Sequence, residues 1–286
     1  MAAGKFIETG RRLVNTWECD ENAHMNVQYY FAQFEDAEAQ FWIESGLSRA
    51  SSMHPLTRHV RYHRELAVGD MPIIESALTR APNGSPAILN VMQSGGALAA
   101  SCLSVLAVTA SPRLEQDAGM VPLPEESAPR SIAIEPARGM GRAALETAGF
   151  VPTYRAVVQP AECDGEGHMT ARYHIARASD AAAHFWEHIG LTGAWLNEHN
   201  FGRVAMEMKL TIRAAMRSGD ALLLMSGLSA YERKTISFSH EFISLRTGES
   251  AATLEVTAVT MDRGTRRAVQ WPDDRVALMR ERVVRL

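Results

Sequence analysis

Two short polar loops carry the side chains whose types and spacing could do chemistry. The first loop places a carboxylate, an amide and an imidazole close together, at Asp20, Asn22 and His24. A carboxylate can act as a general base or a nucleophile, and an imidazole can hydrogen-bond to it or to a substrate. Asn26 is a preferred helix cap, so a helix should begin directly after it, with its first backbone amides facing the cluster.

The loop occurs twice in the chain. Asp164 and His168 repeat the aspartate and histidine of the first loop at the same spacing. Between 18–47 and 162–191, 14 of 30 positions are identical, whereas random pairing would give about two. The sequence is therefore an internal duplication.

The composition limits the classes of protein to which the chain can belong. A length of 286 residues with 46% apolar and 22% charged residues indicates about two globular domains, each able to bury a core. A net charge of −4 gives no reason to expect nucleic-acid binding. No apolar run is long enough to span a membrane, and the N-terminus lacks the apolar core of a signal peptide. Three cysteines fit a reducing compartment, so the predicted localisation is cytoplasmic.

Each copy is predicted to contain one long helix and several strands. The helices are expected over 27–45 and 171–189, and the first is apolar over most of its circumference, which indicates burial. The predicted strands are 10–19, 57–67, 71–80, 86–94 and 97–110 in the first copy, and 154–163, 203–217, 220–230, 235–246 and 250–262 in the second. One helix wrapped by an antiparallel sheet is an α+β layout.

Prolines break this pattern between the copies. The stretch 112–150 is predicted to be a linker with a short helix near its end. It separates domain 1, residues 1–111, from domain 2, residues 151–286, which should finish in a helix that begins at Asp273.

The Asp-x-Asn-x-His-Met-Asn loop, the buried helix and the strands that follow resemble the hotdog fold. They are most similar to thioesterases of the 4-hydroxybenzoyl-CoA type and to plant acyl-carrier-protein thioesterases, which have an Asp-x-Asn-x-His-Val-Asn loop. The second copy, with Gly167-His168-Met169, also resembles betainyl-CoA thioesterases. The resemblance implies a tandem (double) hotdog, in which the two halves form an intramolecular pseudo-dimer with up to two sites. A homo-oligomer stays open.

The resemblance also implies an activity, the hydrolysis of an acyl-CoA or acyl-carrier-protein thioester. Coenzyme A would be part of the substrate, and no cofactor or metal is expected. The loop aspartates would act as base or nucleophile, and the amides at the helix N-termini would stabilise the oxyanion. The catalytic candidates are Asp20, Asn22, His24, Asp164, His168 and the helix carboxylate Glu35, and the substrate-binding candidates are Asn26, Val27, Ala171 and Tyr29.

Several alternatives remain open at this point. The loop aspartates could simply cap their loops, Glu35 could be an exposed helix carboxylate, and Arg58 could meet coenzyme A phosphates or lie at a solvated strand edge. Two other functions fit a hotdog, an enoyl-CoA hydratase or dehydratase and a non-catalytic acyl-CoA-binding module. Hydratases resemble Asp-x-Asn-x-x-His, with one more residue before the histidine. Because Glu166 adds a second carboxylate to the second loop, the first copy is expected to carry most of the turnover.

Overall fold

The two copies form two compact units, Met1–Pro136 and Ala137–Leu286. The computed structural model describes residues 4–20, 22–47, 55–107 and 119–285.

The first unit packs one long helix, α1 (Val27–Glu44), on a five-stranded sheet. Its strands are β1 (Ile7–Arg11), β2 (Pro55–Tyr62), β3 (Ile73–Arg80), β4 (Pro86–Ser94) and β5 (Ala97–Leu106). They lie in the order β1-β3-β4-β5-β2, and each neighbouring pair is antiparallel. The helix packs against β1, β3 and β4.

The second unit repeats this arrangement. Its helices are α2 (Arg142–Ala148), α3 (Ala171–His188), α4 (Gly193–Glu198) and α5 (Asp273–Arg282). Its strands are β6 (Val151–Val157), β7 (Phe201–Ile212), β8 (Ala221–Tyr231), β9 (Thr235–Ser244), β10 (Ser250–Asp262) and β11 (Arg267–Ala268). The order β6-β8-β9-β10-β7 matches the first unit strand for strand, and β11 is added beside β10. The predicted α+β double hotdog is confirmed.

Helix α1 is buried along one stripe and not all round. Tyr30, Phe34 and Phe41 are at most 3% exposed, and they recur at the spacing of a single helix face. On the opposite face Asp36 is exposed and Ile43 is 73% exposed. The expectation of a helix buried over most of its circumference was therefore wrong, because the sheet of the unit covers one side of the helix.

The strands that lead into the two loops end earlier than expected. After β1 the chain forms a 3-10 turn, Thr16–Glu18, in which the Asn15 amide donates to Glu18 Oε2 at 2.8 Å. The second copy does the same, with the Gln159 amide donating to Glu162 Oε2 at 2.9 Å. A side chain that caps its own turn bends the backbone out of the sheet, which shortens the predicted strands.

The described part of the stretch 112–150 is divided between the two units. The Val121 amide donates to Leu78 O at 2.8 Å, and Ile134 joins an apolar cluster on the sheet of the first unit. Helix α2 belongs to the second unit, where Leu145 is fully buried. The division between the units lies after Pro136, inside the expected linker, and residues 108–118 lie outside the described residues.

Candidate active site

The first loop is closed by its own aspartate. Asp20 Oδ1 accepts hydrogen bonds from the backbone amides of Asn22 at 2.8 Å and His24 at 3.4 Å. The Asp20 amide in turn donates to His24 O at 2.9 Å. These bonds show that Asp20 caps the loop, as aspartate often does in tight turns. Oδ2 takes no part in them and is the oxygen left for chemistry.

The second loop has the same hydrogen bonds. Asp164 Oδ1 accepts from the amides of Glu166 and His168, both at 2.9 Å. Gly167 adopts a φ of 79°, and Ala23, which stands at the same place in the first loop, adopts a φ of 60°. The geometry of the loop has therefore been kept in both copies, although the residues between aspartate and histidine differ.

Just before its helix, each loop is fixed to the segment that follows β2 in the first unit or β7 in the second. Met25 N donates to Leu66 O at 2.7 Å, and Met169 N donates to Met216 O at 2.8 Å. The next amide donates back to the 3-10 turn in both copies, at 2.8 Å in the first and 3.0 Å in the second. The polar side chains are thus held by backbone contacts at the entrance to a buried helix.

The two helix N-termini are capped differently. Asn26 Oδ1 accepts a hydrogen bond from the Gln28 amide at 3.1 Å, so Asn26 caps the helix as predicted. The Val27 amide takes no part in this bond. Thr170 makes no side-chain cap, and Ala171 is only 1% exposed. Tyr29 Oη donates to Trp17 O at 3.2 Å, which places its hydroxyl on the 3-10 turn. Substrate contacts of Asn26, Val27, Ala171 and Tyr29 stay predictions.

Each loop histidine has a glutamate beside it. His24 Nδ1 lies 3.5 Å from Glu65 Oε1, and His168 Nδ1 lies 3.7 Å from Glu166 Oε2. Sequence reasoning missed Glu65, because the second copy has Ala215 at that position and the repeat gives no signal there. With Glu65 included, the first loop histidine also has a glutamate beside it, so a nearby glutamate does not by itself distinguish the two copies. Unequal turnover of the two sites stays a prediction.

Glu35 belongs to a charged cluster between α1 and the sheet. Arg58 Nη2 lies 2.8 Å from Glu38 Oε2 and 3.8 Å from Glu35 Oε1, and Ser104 Oγ donates to Glu38. The side chains of Glu35 and Arg58 are 22% and 11% exposed, so neither the exposed-carboxylate nor the solvated-edge interpretation holds. Burial alone would lower the pKa of Arg58, but the two carboxylates outweigh it and raise the pKa.

The second copy has no counterpart of this cluster. The aligned residues are Ser179 and Ala182 on α3, with Met208 and Val256 on the sheet. Met208 is 8% exposed and Val256 is 3% exposed. The same layer is therefore charged in one unit and apolar in the other.

A cysteine stands directly before the aspartate in each loop. Burial, followed by the charges of Asp20 and Glu18, raises the pKa of the Cys19 thiol, and burial also raises that of Cys163. A raised pKa makes a thiol a poorer nucleophile.

In the described ranges, no three His, Cys, Asp or Glu side chains are grouped as metal ligands. None of the helices that the structure describes is long and apolar enough to cross a membrane.

Three solved structures that are similar over most of the chain are described as thioesterases. A protein assigned as an oleoyl thioesterase from Lactobacillus plantarum is 12% identical with a TM-score of 0.64, over 91% of this chain and 98% of that one. The 12:0-ACP thioesterase from Umbellularia californica is 12% identical with a TM-score of 0.59, over 89% and 94%. An acyl-ACP thioesterase from Bacteroides thetaiotaomicron is 10% identical with a TM-score of 0.58, over 88% and 96%. At these identities the likeness shows the fold.

The sequence itself matches a family model. The model for the thioesterase-like superfamily covers residues 14–129 and 158–281, so it occurs once in each copy and spans both loops. No curated protein matches the sequence. The chain belongs to the thioesterase-like superfamily, which confirms the thioester hydrolase class that the resemblance implied.

Proposed function

We propose that the chain hydrolyses acyl thioesters of coenzyme A or acyl-carrier protein, with one site at each loop. The observation that carries this proposal is the repeated constellation of a fixed aspartate and a histidine at the N-terminus of a buried helix. In each loop one aspartate oxygen holds two backbone amides, at 2.8 and 3.4 Å for Asp20 and at 2.9 Å twice for Asp164. These bonds hold the carboxylate in place, and the other oxygen, Oδ2, takes no part in them.

Thioester hydrolysis requires activation of water or a carboxylate nucleophile, and stabilisation of the oxyanion. We assign the first task to Oδ2 of Asp20 and of Asp164, as a base that takes a proton from water or as a nucleophile that attacks the carbonyl. The backbone amides of Val27 and Ala171 supply the second, because they are the first amides of their helices, where the helix dipole gives partial positive charge. The thiolate is a good leaving group, so a strong general acid is not needed.

The side chains around the aspartates have positioning tasks in this proposal. Asn22 Oδ1 is buried and has no hydrogen-bond partner among the described residues, so Asn22 can bind water or substrate. His24 and His168 each turn Nδ1 towards a glutamate, and they position the attacking water, which donates a hydrogen bond to Nε2. Glu35 is 3.8 Å from Arg58 and is kept as a secondary candidate.

The family and the similar structures support the proposed substrate class. Two of those structures are named for acyl-ACP substrates and the third for an oleoyl substrate. An acyl thioester is what these substrates share. The protein would need no cofactor beyond the coenzyme A or carrier that is already part of the substrate.

A panel of acyl-CoA and acyl-ACP thioesters, incubated with a thiol reagent, tests the proposal. Release of free thiol from at least one acyl chain supports hydrolysis. Hydration of an enoyl-CoA without release of thiol would instead identify a hydratase. Tight binding of an acyl-CoA with no turnover would identify a non-catalytic binding module.

A further inference from the structure

The two loop histidines take their nearest glutamate from different parts of the fold. His24 Nδ1 faces Glu65, which follows β2, at 3.5 Å. His168 Nδ1 faces Glu166, which lies inside its own loop, at 3.7 Å. Both distances are in the range of an ion pair and longer than a hydrogen bond, as is common for catalytic contacts before a substrate binds.

Backbone pairing shows which positions correspond. His24 forms a β-bridge with Ala67, and His168 forms the equivalent bridge with Arg217. Counting back two residues from each bridge partner aligns Glu65 with Ala215. Within the loops, Glu166 aligns with Asn22. The glutamate and the uncharged residue have therefore exchanged places between the two copies.

The two ring nitrogens of His168 have different surroundings. Besides Glu166, its Nδ1 has Asp164 Oδ2 at 4.0 Å. Arg217, on the segment opposite, donates from its guanidinium to Glu166 O at 3.2 Å and from its amide to Asp220 Oδ2 at 2.8 Å. His168 Nε2 is buried, with no hydrogen-bond partner in the described ranges. One edge of the ring thus meets carboxylates, and the other edge is left for a ligand.

We propose that Glu166 is the positioning residue of the second site. It holds the Nδ1–H tautomer of His168, so that Nε2 carries the lone pair and accepts a hydrogen bond from the attacking water, and it replaces the glutamate that the first copy has at Glu65. The second loop is then a complete site with a relocated carboxylate and not a degraded copy. This inference rests on the proposed function, and it reverses the expectation that Glu166 weakens the second site.

Kinetics of swapped carboxylates test the proposal. The Asp20→Asn chain isolates the second site, and Glu166→Asn is added to it, alone or together with Ala215→Glu. Ala215 is exposed, so the new carboxylate has room. We expect Glu166→Asn to lower kcat/KM about tenfold or more, and the double exchange to restore it to within about threefold. An unchanged kcat/KM in Glu166→Asn, or a folded double exchange that stays as slow as the single variant, would overturn the proposal.

The imidazole tautomer gives a second readout that needs no turnover. The ¹⁵N shifts of His168, assigned by comparison with His168→Gln, should report Nδ1–H in the Asp20→Asn chain. They should move towards Nε2–H in Glu166→Asn and return in the double exchange. If the tautomer of His168 stayed the same in all these variants, the positioning role of Glu166 would be overturned, even if thioesters are hydrolysed. A tautomer that responds in a protein that hydrolyses no thioester would support the contact and reject the proposed function.

Discussion

Glu38 Oε2 lies 2.8 Å from Arg58 Nη2 in the layer between α1 and the sheet, and its side chain is 6% exposed. Removing one partner of such a pair leaves the other charge buried and uncompensated. We therefore expect Glu38→Ala to lower the free energy of unfolding by about 3 kcal/mol or more. Urea denaturation measures this change in the free energy of unfolding.

The second copy provides the control for this substitution. Its aligned residues are Ala182, Met208 and Val256, so an apolar solution for the same layer already exists in the chain. The triple change Glu38→Ala, Arg58→Met and Ser104→Val should recover most of the stability lost in Glu38→Ala. If the triple variant were less stable than the single one, burial of an unpaired charge would not be the cause.

The asymmetric helix caps predict unequal effects on stability. Asn26 accepts a bond from the Gln28 amide at 3.1 Å, whereas Thr170 makes no side-chain cap. Asn26→Ala should cost about 1 kcal/mol, and Thr170→Ala, the matched change, should cost clearly less. Thermal unfolding followed by circular dichroism compares the two variants, and equal losses would contradict the assignment.

A buried histidine makes stability depend on pH. His240 Nδ1 lies 2.6 Å from Ser226 Oγ, and burial lowers the pKa of His240 from 6.5 to about 3. The unfolded chain takes up this proton near pH 6.5 and the folded chain only near pH 3, so the free energy of unfolding should fall as the pH drops across that window. The loss amounts to about 5 kcal/mol over the full window.

Asn90 indicates a substitution that should remove the pH dependence of stability caused by His240. It occupies the equivalent place in the first unit, where Ser76 Oγ donates to Asn90 Oδ1 at 2.6 Å. His240→Asn should therefore flatten the fall in stability between pH 6.5 and pH 4, measured by urea denaturation at each pH. A slope as steep as in the unchanged chain would show that another group is responsible.

The oxyanion role of the Val27 amide can be tested by removing its hydrogen. Proline is tolerated at the first position of a helix, and Asn26 already has the extended backbone that a following proline requires, with φ −63° and ψ 140°. In an Asp164→Asn background, Val27→Pro should lower kcat by about two orders of magnitude, while Val27→Ala should change it little. A folded Val27→Pro chain with full turnover would exclude this amide.

Repeats and spacing allowed much of this architecture to be predicted. Both long helices were placed to within a residue of Val27–Glu44 and Ala171–His188, because Asn26 precedes an apolar segment in the first copy and the repeat gives the same bounds in the second. The strand ends were placed less well, since the turn at Thr16–Glu18 depends on a bond between Asn15 and Glu18 that a hydrophobic pattern does not contain.

The contacts at the site that could not be predicted from the sequence were missed for the same physical reason. The loop aspartates and histidines are close in sequence and repeated, so their spacing alone brings them together. Glu65 and Arg58 reach His24 and Glu35 only through folding of the sheet, and neither is repeated in the second copy. A contact that joins distant segments and occurs once leaves no periodic signal.

The most direct test compares thiol release by the unchanged chain and by Asp20→Asn/Asp164→Asn, on the same panel of acyl-CoA and acyl-ACP thioesters with a chelator present. The unchanged chain should release thiol, each single variant should keep part of the activity, and the double variant should lose about two to four orders of magnitude in kcat/KM. Circular dichroism confirms that all four proteins are folded. No thiol release by the unchanged chain, or full activity in the double variant, would contradict a thioesterase that works through its two loop aspartates.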